Sequence, residues 1–317
     1  MSNRLRAFMC AVSLLALVVS PASAQKDVIT FGSTNSASSN YALAVGMTKA
    51  IKKALPNANV SMIETGASVD NVRRMSKNEI DFGLVMVDTS VQAIDGLGPF
   101  QGKAVPDLAV LYVHDASSLQ LTVRVDSGVK ELGDLKGKKF SAGIRGSGAE
   151  LLTRQIFGVL GIEPQWVSGS ISDSVEGVQN RQLVGYSKYG VGISLDSTVR
   201  ELMTSSPMRF VGFTEEQQKL VLAKVKGVDF VTIPENTIPG QPAATTPVVL
   251  GTYSTRLSLM DDATAFAVAK AIYDNRQFLI DVFPHLADFD WKGNALKTEK
   301  LGLRLHPGAK KFWESVH

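Results

Sequence analysis

Apolar residues over the first ninety positions change spacing in a regular way. Val28, Ile29 and Phe31 form a short run of strand type, whereas Leu43, Met47, Ala50, Ile51 and Ala54 recur at helical spacing and give the following segment one apolar face. The scheme repeats twice. Residues 60–63 read as a strand, followed by Val69, Val72 and Met75 on one helical face; residues 82–87 are a continuous apolar run fit for a buried parallel strand, followed by another helix. A polar turn joins each strand to its helix: Ser33-Thr34-Asn35-Ser36-Ala37-Ser38-Ser39-Asn40, then Thr65-Gly66-Ala67-Ser68, then Asp88-Thr89-Ser90. One such run alone reads as a solvated loop with a Ser N-cap. Three of them, carried to the same sheet edge by right-handed βαβ connections, read as a binding rim, because the first helical N–H groups are unpaired and the helix dipole favours an anion there.

The second half predicts another lobe. Residues 108–113 and 119–125 read as two strands broken at 114–118, as for a backbone crossing between lobes. A basic turn at 132–138 leads into a strand at 139–144, and Arg145-Gly146-Ser147-Gly148 opens a helix over 149–160. Strand-like runs at 191–195 and 208–213 alternate with helices at 197–203 and 214–226. The Pro/Gly/Thr-rich stretch 233–247 lacks periodicity and reads as a connecting arm; 248–253 gives a strand and return crossing, followed by a helix over 261–283. Two crossings predict an α/β protein of two hinged lobes with a cleft between them: lobe 1 from 27–116 and 249–317, lobe 2 from 117–248.

Ahead of this pattern, Arg4 and Arg6 precede an apolar stretch over 8–19 that is too short to span a bilayer, and Ala22-Ser23-Ala24 offers a cleavage site. Residues 1–24 therefore read as a signal peptide, leaving 293 of the 317 residues. The only cysteine, Cys10, leaves with it, so the mature chain has no thiolate for a disulfide, a metal or nucleophilic catalysis. The formal charge of +3 falls to +1, which gives no sign of nucleic acid or a charged membrane surface as partner. The four histidines stand singly, without metal spacing, and no Gly-x-Ser-x-Gly elbow or complete phosphate loop is present. Catalysis and a cofactor have no support in these residues.

Several segments together resemble a known family: Ile29-Thr30-Phe31-Gly32 with its polar run and Tyr41, Glu64-Thr65-Gly66-Ala67-Ser68-Val69-Asp70-Asn71, Asp81-Phe82-Gly83, Arg124-Val125-Asp126-Ser127-Gly128, Gly146-Ser147-Gly148-Ala149-Glu150-Leu151, Ile238-Pro239-Gly240-Gln241 and Leu305-His306-Pro307-Gly308-Ala309. Their order and spacing are similar to those of the TAXI solute-binding proteins, the extracytoplasmic receptors of one class of tripartite ATP-independent periplasmic (TRAP) transporters. The resemblance implies a type II periplasmic-binding-protein fold, a monomer in the periplasm, a small anionic solute such as glutamate or 2-oxoglutarate held between lobes, and delivery to TRAP integral membrane subunits. It carries a ligand set of Ser33, Ser36, Ser39, Tyr41, Thr65, Ser68 and Asp88 from lobe 1, and Ser147 with the backbone of Gly146 and Gly148 from lobe 2.

Hydroxyls and helix-end N–H groups hold a carboxylate without a full countercharge, which suits release to a permease. Tyr41 fits either a ligand contact or a core aromatic. Serine and asparagine replace most glycines expected in the first turn, and Gly185-Tyr186-Ser187-Lys188-Tyr189 stands where the family has Asp-Ala and apolar residues. Arg145 replaces a common proline; its guanidinium either faces the cleft and pairs with the solute or lies on the surface beside Glu150. Lys188 and Arg181 are further cations in weaker positions. Two other functions stay open: a periplasmic ligand-sensing adaptor for a receptor or sensor kinase, and, with less support, a periplasmic enzyme.

Overall fold

The polar turns do end on one edge of a sheet. The computed structural model describes residues 28–317, so the signal-peptide assignment for residues 1–24 lies outside the described residues. Strands β1 (Val28–Gly32), β2 (Asn59–Ile63) and β3 (Phe82–Met86) are parallel in the order β2-β1-β3, with Gly32 opposite both Ile63 and Gly83. Helices α1 (Ser39–Ala54), α2 (Ser68–Ser76) and α3 (Val87–Asp95) follow them. Ser38 caps α1 by accepting the Asn40 N–H, and Lys52 and Lys53 lie in its last turn, where cations complement the dipole. Phe31 and Phe82 stack at 4.8 Å beneath this edge. Helix α3 begins at Val87, one residue earlier than the sequence reading, and Asp88, Thr89 and Ser90 lie buried at its start, as read.

The expected break at 114–118 is absent. Strand β4 runs unbroken over Leu108–Arg124. It leads to β5 (Lys139–Ile144), α4 (Gly148–Leu160), β6 (Gln165–Gly169), α5 (Ile171–Gln179), β7 (Gly185–Tyr189), α6 (Ser197–Met203), β8 (Met208–Phe210), α7 (Glu215–Lys224), β9 (Asp229–Ile233) and β10 (Ala244–Arg256). Helices α8 (Asp262–Asp274), α9 (Gln277–Ile280) and α10 (Trp291–Lys300), the two-residue β11 (Arg304–Leu305) and α11 (Pro307–Ser315) complete the chain.

Strand β4 belongs to both lobes: residues 108–118 pair with β10, whereas 119–124 pair with β7 and β8. Strand β10 shifts register against β4 at the edge of this polar segment, between Gly251 and Thr252 opposite His114, and again between Tyr253 and Ser254 opposite Leu111. Gly251 is required at that bulge; a Cβ would lie 2.3 Å from His114 Cε1. In the second lobe β5 pairs parallel with β6 and β7.

Four further readings change. Residues 191–195 are not a strand, because Gly192 takes a φ of +57° that breaks extended backbone; the strand is β7, whose polar residues are all buried. The strand read at 208–213 stops at Phe210. The presumed arm at 233–247 is largely a hairpin between β9 and β10 around a loop at 234–243. The helix read at 261–283 ends at Asp274, where the Asn275 side chain donates to the Ala271 carbonyl, and resumes as α9. Helix α11 seals the base of the first lobe, with Trp313 fully buried and its indole N–H donating to Leu111 O at 2.9 Å.

Candidate functional site

A cavity of about 30 Å³ with a mixed polar and apolar lining lies at the seam between the lobes. Ser38, Asn40 and Ser68 line it from lobe 1; Ser147, Lys188 and Tyr189 line it from lobe 2, with Leu84 and Met86 as apolar wall. Its volume holds roughly two water molecules, so the lobes must separate to admit a larger solute. Helix amino ends build its walls. Ser147 caps α4 by accepting the Glu150 N–H at 3.1 Å, and Ser68, the first residue of α2, accepts the Met86 N–H at 3.1 Å.

The lobes touch around this cavity through their helix ends. Gly146 takes a φ of +79° and presents its carbonyl to α2, accepting the N–H groups of Val69 and Asp70 at 3.0 and 3.2 Å. Gly148 needs its missing side chain: a Cβ would lie 2.9 Å from Ser68 Oγ and 3.1 Å from Thr89 Oγ1 across the seam. At the other end the N–H of Ser39 donates to Asp196 Oδ2 at 3.4 Å, the N–H of Ser197 donates to Ser39 Oγ at 3.1 Å, and Ser197 Oγ donates to Ala37 O at 2.7 Å. Gln92 Nε2 donates to Gln155 Oε1 between α3 and α4 at 3.1 Å.

Two buried acids give the site its electrostatics. Asp196 accepts Lys188 Nζ at 2.8 Å in a pair that is almost wholly buried. Burial pushes the Asp196 carboxyl up, but the Lys188 ammonium and the Thr198 donors outweigh it and hold the carboxyl below its ordinary value. Burial lowers Lys188, and Asp196 only partly restores it. Asp88, 1% exposed, has no hydrogen-bond partner on either carboxyl oxygen. Burial pushes its pKa up to about 7, against the opposing pull of the Thr89 and Asp88 N–H groups and the nearby Tyr189 hydroxyl.

A model of the NMT1-like family matches residues 31–315. The chain belongs to the NMT1-like family. Among solved structures, this NMT1-like protein resembles the alkanesulfonate-binding protein SsuA from Xanthomonas axonopodis pv. citri bound to MOPS, at 14% identity over 92% of this chain and 84% of that one, with a TM-score of 0.51. It resembles the ligand-binding component of an ABC-type import system from Staphylococcus aureus, at 12% identity over 90% of each chain with a TM-score of 0.50. The arginine-, lysine-, histidine-binding protein ArtJ from Geobacillus stearothermophilus matches at 12% identity over 81% of this chain and 95% of that one, with a TM-score of 0.50. At such identities the likeness is one of fold, a two-lobed α/β architecture.

Of the residues singled out from the NMT1-like sequence, Ser68, Ser147 and Gly148 line the cavity, and Ser39 and Gly146 join the lobes beside it. Ser33 is buried beneath; its carbonyl accepts Thr65 Oγ1 and Asn71 Nδ2, each at 2.9 Å, which commits the Thr65 hydroxyl to the backbone. Asp88 lies behind Tyr189, off the cavity wall. Ser36 is exposed, donating through N–H and Oγ to Glu64 Oε1 at 3.0 and 3.3 Å, and half-buried Tyr41 is absent from the wall. Arg145 is exposed in an outer groove that also touches Arg73 and Arg154. Arg181 is remote, paired with Asp126 at 3.1 Å.

Sequence reasoning undervalued Lys188 and missed Asn40 and Asp196. A lysine inside a five-residue run of small and aromatic residues was the available signal for the first, and the N-cap pattern Asp196-Ser197-Thr198 for the last. Among the described residues, no group of three or more His, Cys, Asp or Glu could hold a metal, and no helix is long and apolar enough to cross a membrane.

Proposed function

We propose that this NMT1-like protein is a periplasmic solute receptor of the TAXI type, which closes two lobes on a small carboxylate, such as glutamate or 2-oxoglutarate, and delivers it to TRAP membrane subunits. In this reading it is a monomeric binding protein and not an enzyme, with lobe 1 at 27–116 and 249–317 and lobe 2 at 117–248. The partner exchange of β4 near Ser118 supports that division. One observation carries the reading: at the seam between the lobes, hydroxyls, helix amino ends and one buried ammonium meet around one cavity wall. This is the chemistry of an anion seat whose charge is mostly partial, which binds and also releases. Ser38, Asn40, Ser68, Ser147, Gly148 and Lys188 form its contact surface, while Ser33 and Thr65 shape the turn behind it.

The test is a thermal-shift screen of the protein beginning at Gln25 against amino acids and small mono- and dicarboxylates. A solute bound only by the folded state adds about 2.7 kcal/mol of stability at a hundred times its Kd, enough to raise Tm by several degrees. The expected result is a saturable shift with a small carboxylate and none with its neutral amide. A shift with neutral or cationic solutes alone, or chemical turnover of a bound carboxylate, contradicts the proposal.

A further inference from the structure

Lys188 makes one hydrogen bond, to Asp196 Oδ1 at 2.8 Å, although an ammonium carries three donors. It is 4% exposed and forms part of the cavity wall. A lysine buried to this degree with spare donors stands in need of acceptors, and on its wall the protein supplies only one. Asp196 divides its oxygens between the lobes. Oδ1 takes Lys188, the Thr198 N–H at 3.0 Å and the Thr198 hydroxyl at 2.6 Å, all within lobe 2. Oδ2 reaches across the seam to the Ser39 N–H, at the amino end of the 16-residue α1. The place between the ammonium and that helix end is thus one where a carboxylate oxygen already rests.

We propose that Lys188 binds the carboxylate group of the solute, seating it between its ammonium and the amino end of α1, with Asp196 as the positioning residue that holds the ammonium at the cavity wall. The inference rests on the receptor reading above and adds to it the residue that supplies the one full positive charge. The bonds of Asp196 to Thr198 and Lys188 lie within one lobe and survive opening; only its contact with Ser39 crosses the seam and yields its place to the solute. Asp196 also neutralises most of the ammonium's charge, so the solute gains moderate attraction and remains free to leave when the lobes part.

The deciding experiment is calorimetry with succinate, 2-oxoglutarate and L-glutamate, and succinamide as uncharged control, on the parent protein and two variants. Lys188→Met combined with Asp196→Asn removes both charges at once, leaves no orphan ion, and keeps an asparagine cap on α6. It is expected to fold and to bind the parent's preferred carboxylate roughly ten- to a hundredfold more weakly, the worth of one charge-assisted hydrogen bond. Asp196→Asn alone keeps the ammonium but leaves it without its counter-ion, so it is expected to lower stability while losing less affinity than the double variant; an equal loss of affinity in the two would assign the effect to Asp196 and overturn the role of Lys188. If the double variant binds within about threefold of the parent, Lys188 does not touch the carboxylate; the inference falls while the receptor reading stands. If the parent binds none of the three carboxylates, both fall. Should the double variant fail to fold, Lys188→Arg and Lys188→Gln decide the matter: binding kept by Arg and lost with Gln supports the assignment, and equal behaviour of the two overturns it.

Discussion

Asp88 carries a carboxyl that the fold buries without giving either oxygen a partner. Its ordinary value of 3.8 rises to about 7 in the folded protein, so between about pH 4 and pH 7 the folded state holds a proton that the unfolded chain has lost. Stability contributed by the protonated group is therefore full below pH 4 and declines as pH rises through 7, by about 4 kcal/mol over three pKa units. Asp88→Asn is expected to match the parent in urea unfolding at pH 4 and to exceed it at pH 8. An equal difference at both pH values would mean that the carboxyl stays ionised in the fold. At this scale the sequence was only partly legible. A strand, a polar turn and a helix identify which hydroxyls lie at a binding edge, and Ser68 and Ser147 are found that way. Which way each side chain of the turn points depends on individual backbone angles, and so Ser36 and Arg145 could not be separated from their buried neighbours.

Helix amino ends are the elements that carry the site, and their close approach depends on a glycine. Gly148 opens α4 directly against Ser68 and Thr89 of the opposite lobe. Gly148→Val leaves each lobe's own packing intact but wedges the seam at a cost of about 1.5 to 3 kcal/mol, the usual penalty of overpacking. Calorimetry should then show carboxylate binding weakened at least about tenfold, with thermal stability of the unliganded protein little changed. Unchanged affinity would mean that the solute does not need this closure. The elements themselves were largely readable where periodicity was strong, as in α1, α2 and β3. Strand β7 was hidden because its tyrosines, serine and lysine are polar by type but buried by pairing with β4, a long-range fact that no local window contains. The continuity of β4 was hidden for the same reason: His114, Asp115, Ser117 and Ser118 look like a break, yet each is buried and bonded within the crossing.

At the scale of the molecule, two lobes share β4 and β10, and beside the cavity the hydrogen bonds of Gly146 to α2 and of Ser197 to Ser39 and Ala37 join one lobe to the other. That there are two lobes was legible early, because the polar residues at 114–118 and the strand at 248–253 after the stretch 233–247 read as crossings, although β4 runs through the first of them unbroken. The width of the cleft was not, since it depends on how helix ends of different lobes meet. The central claim is that the lobes close on a carboxylate, and a distance between them tests it most directly. Lys77 on the first lobe and Glu163 on the second are exposed, and beyond Cys10 the chain has no cysteine, so Lys77→Cys with Glu163→Cys in the protein beginning at Gln25 accepts two spin labels and no more. Pulsed electron resonance should give a broad distance distribution without solute that narrows to one short distance as carboxylate saturates the protein, and stays broad with the neutral amide. A distribution unmoved by a carboxylate that calorimetry shows to be bound would contradict the account.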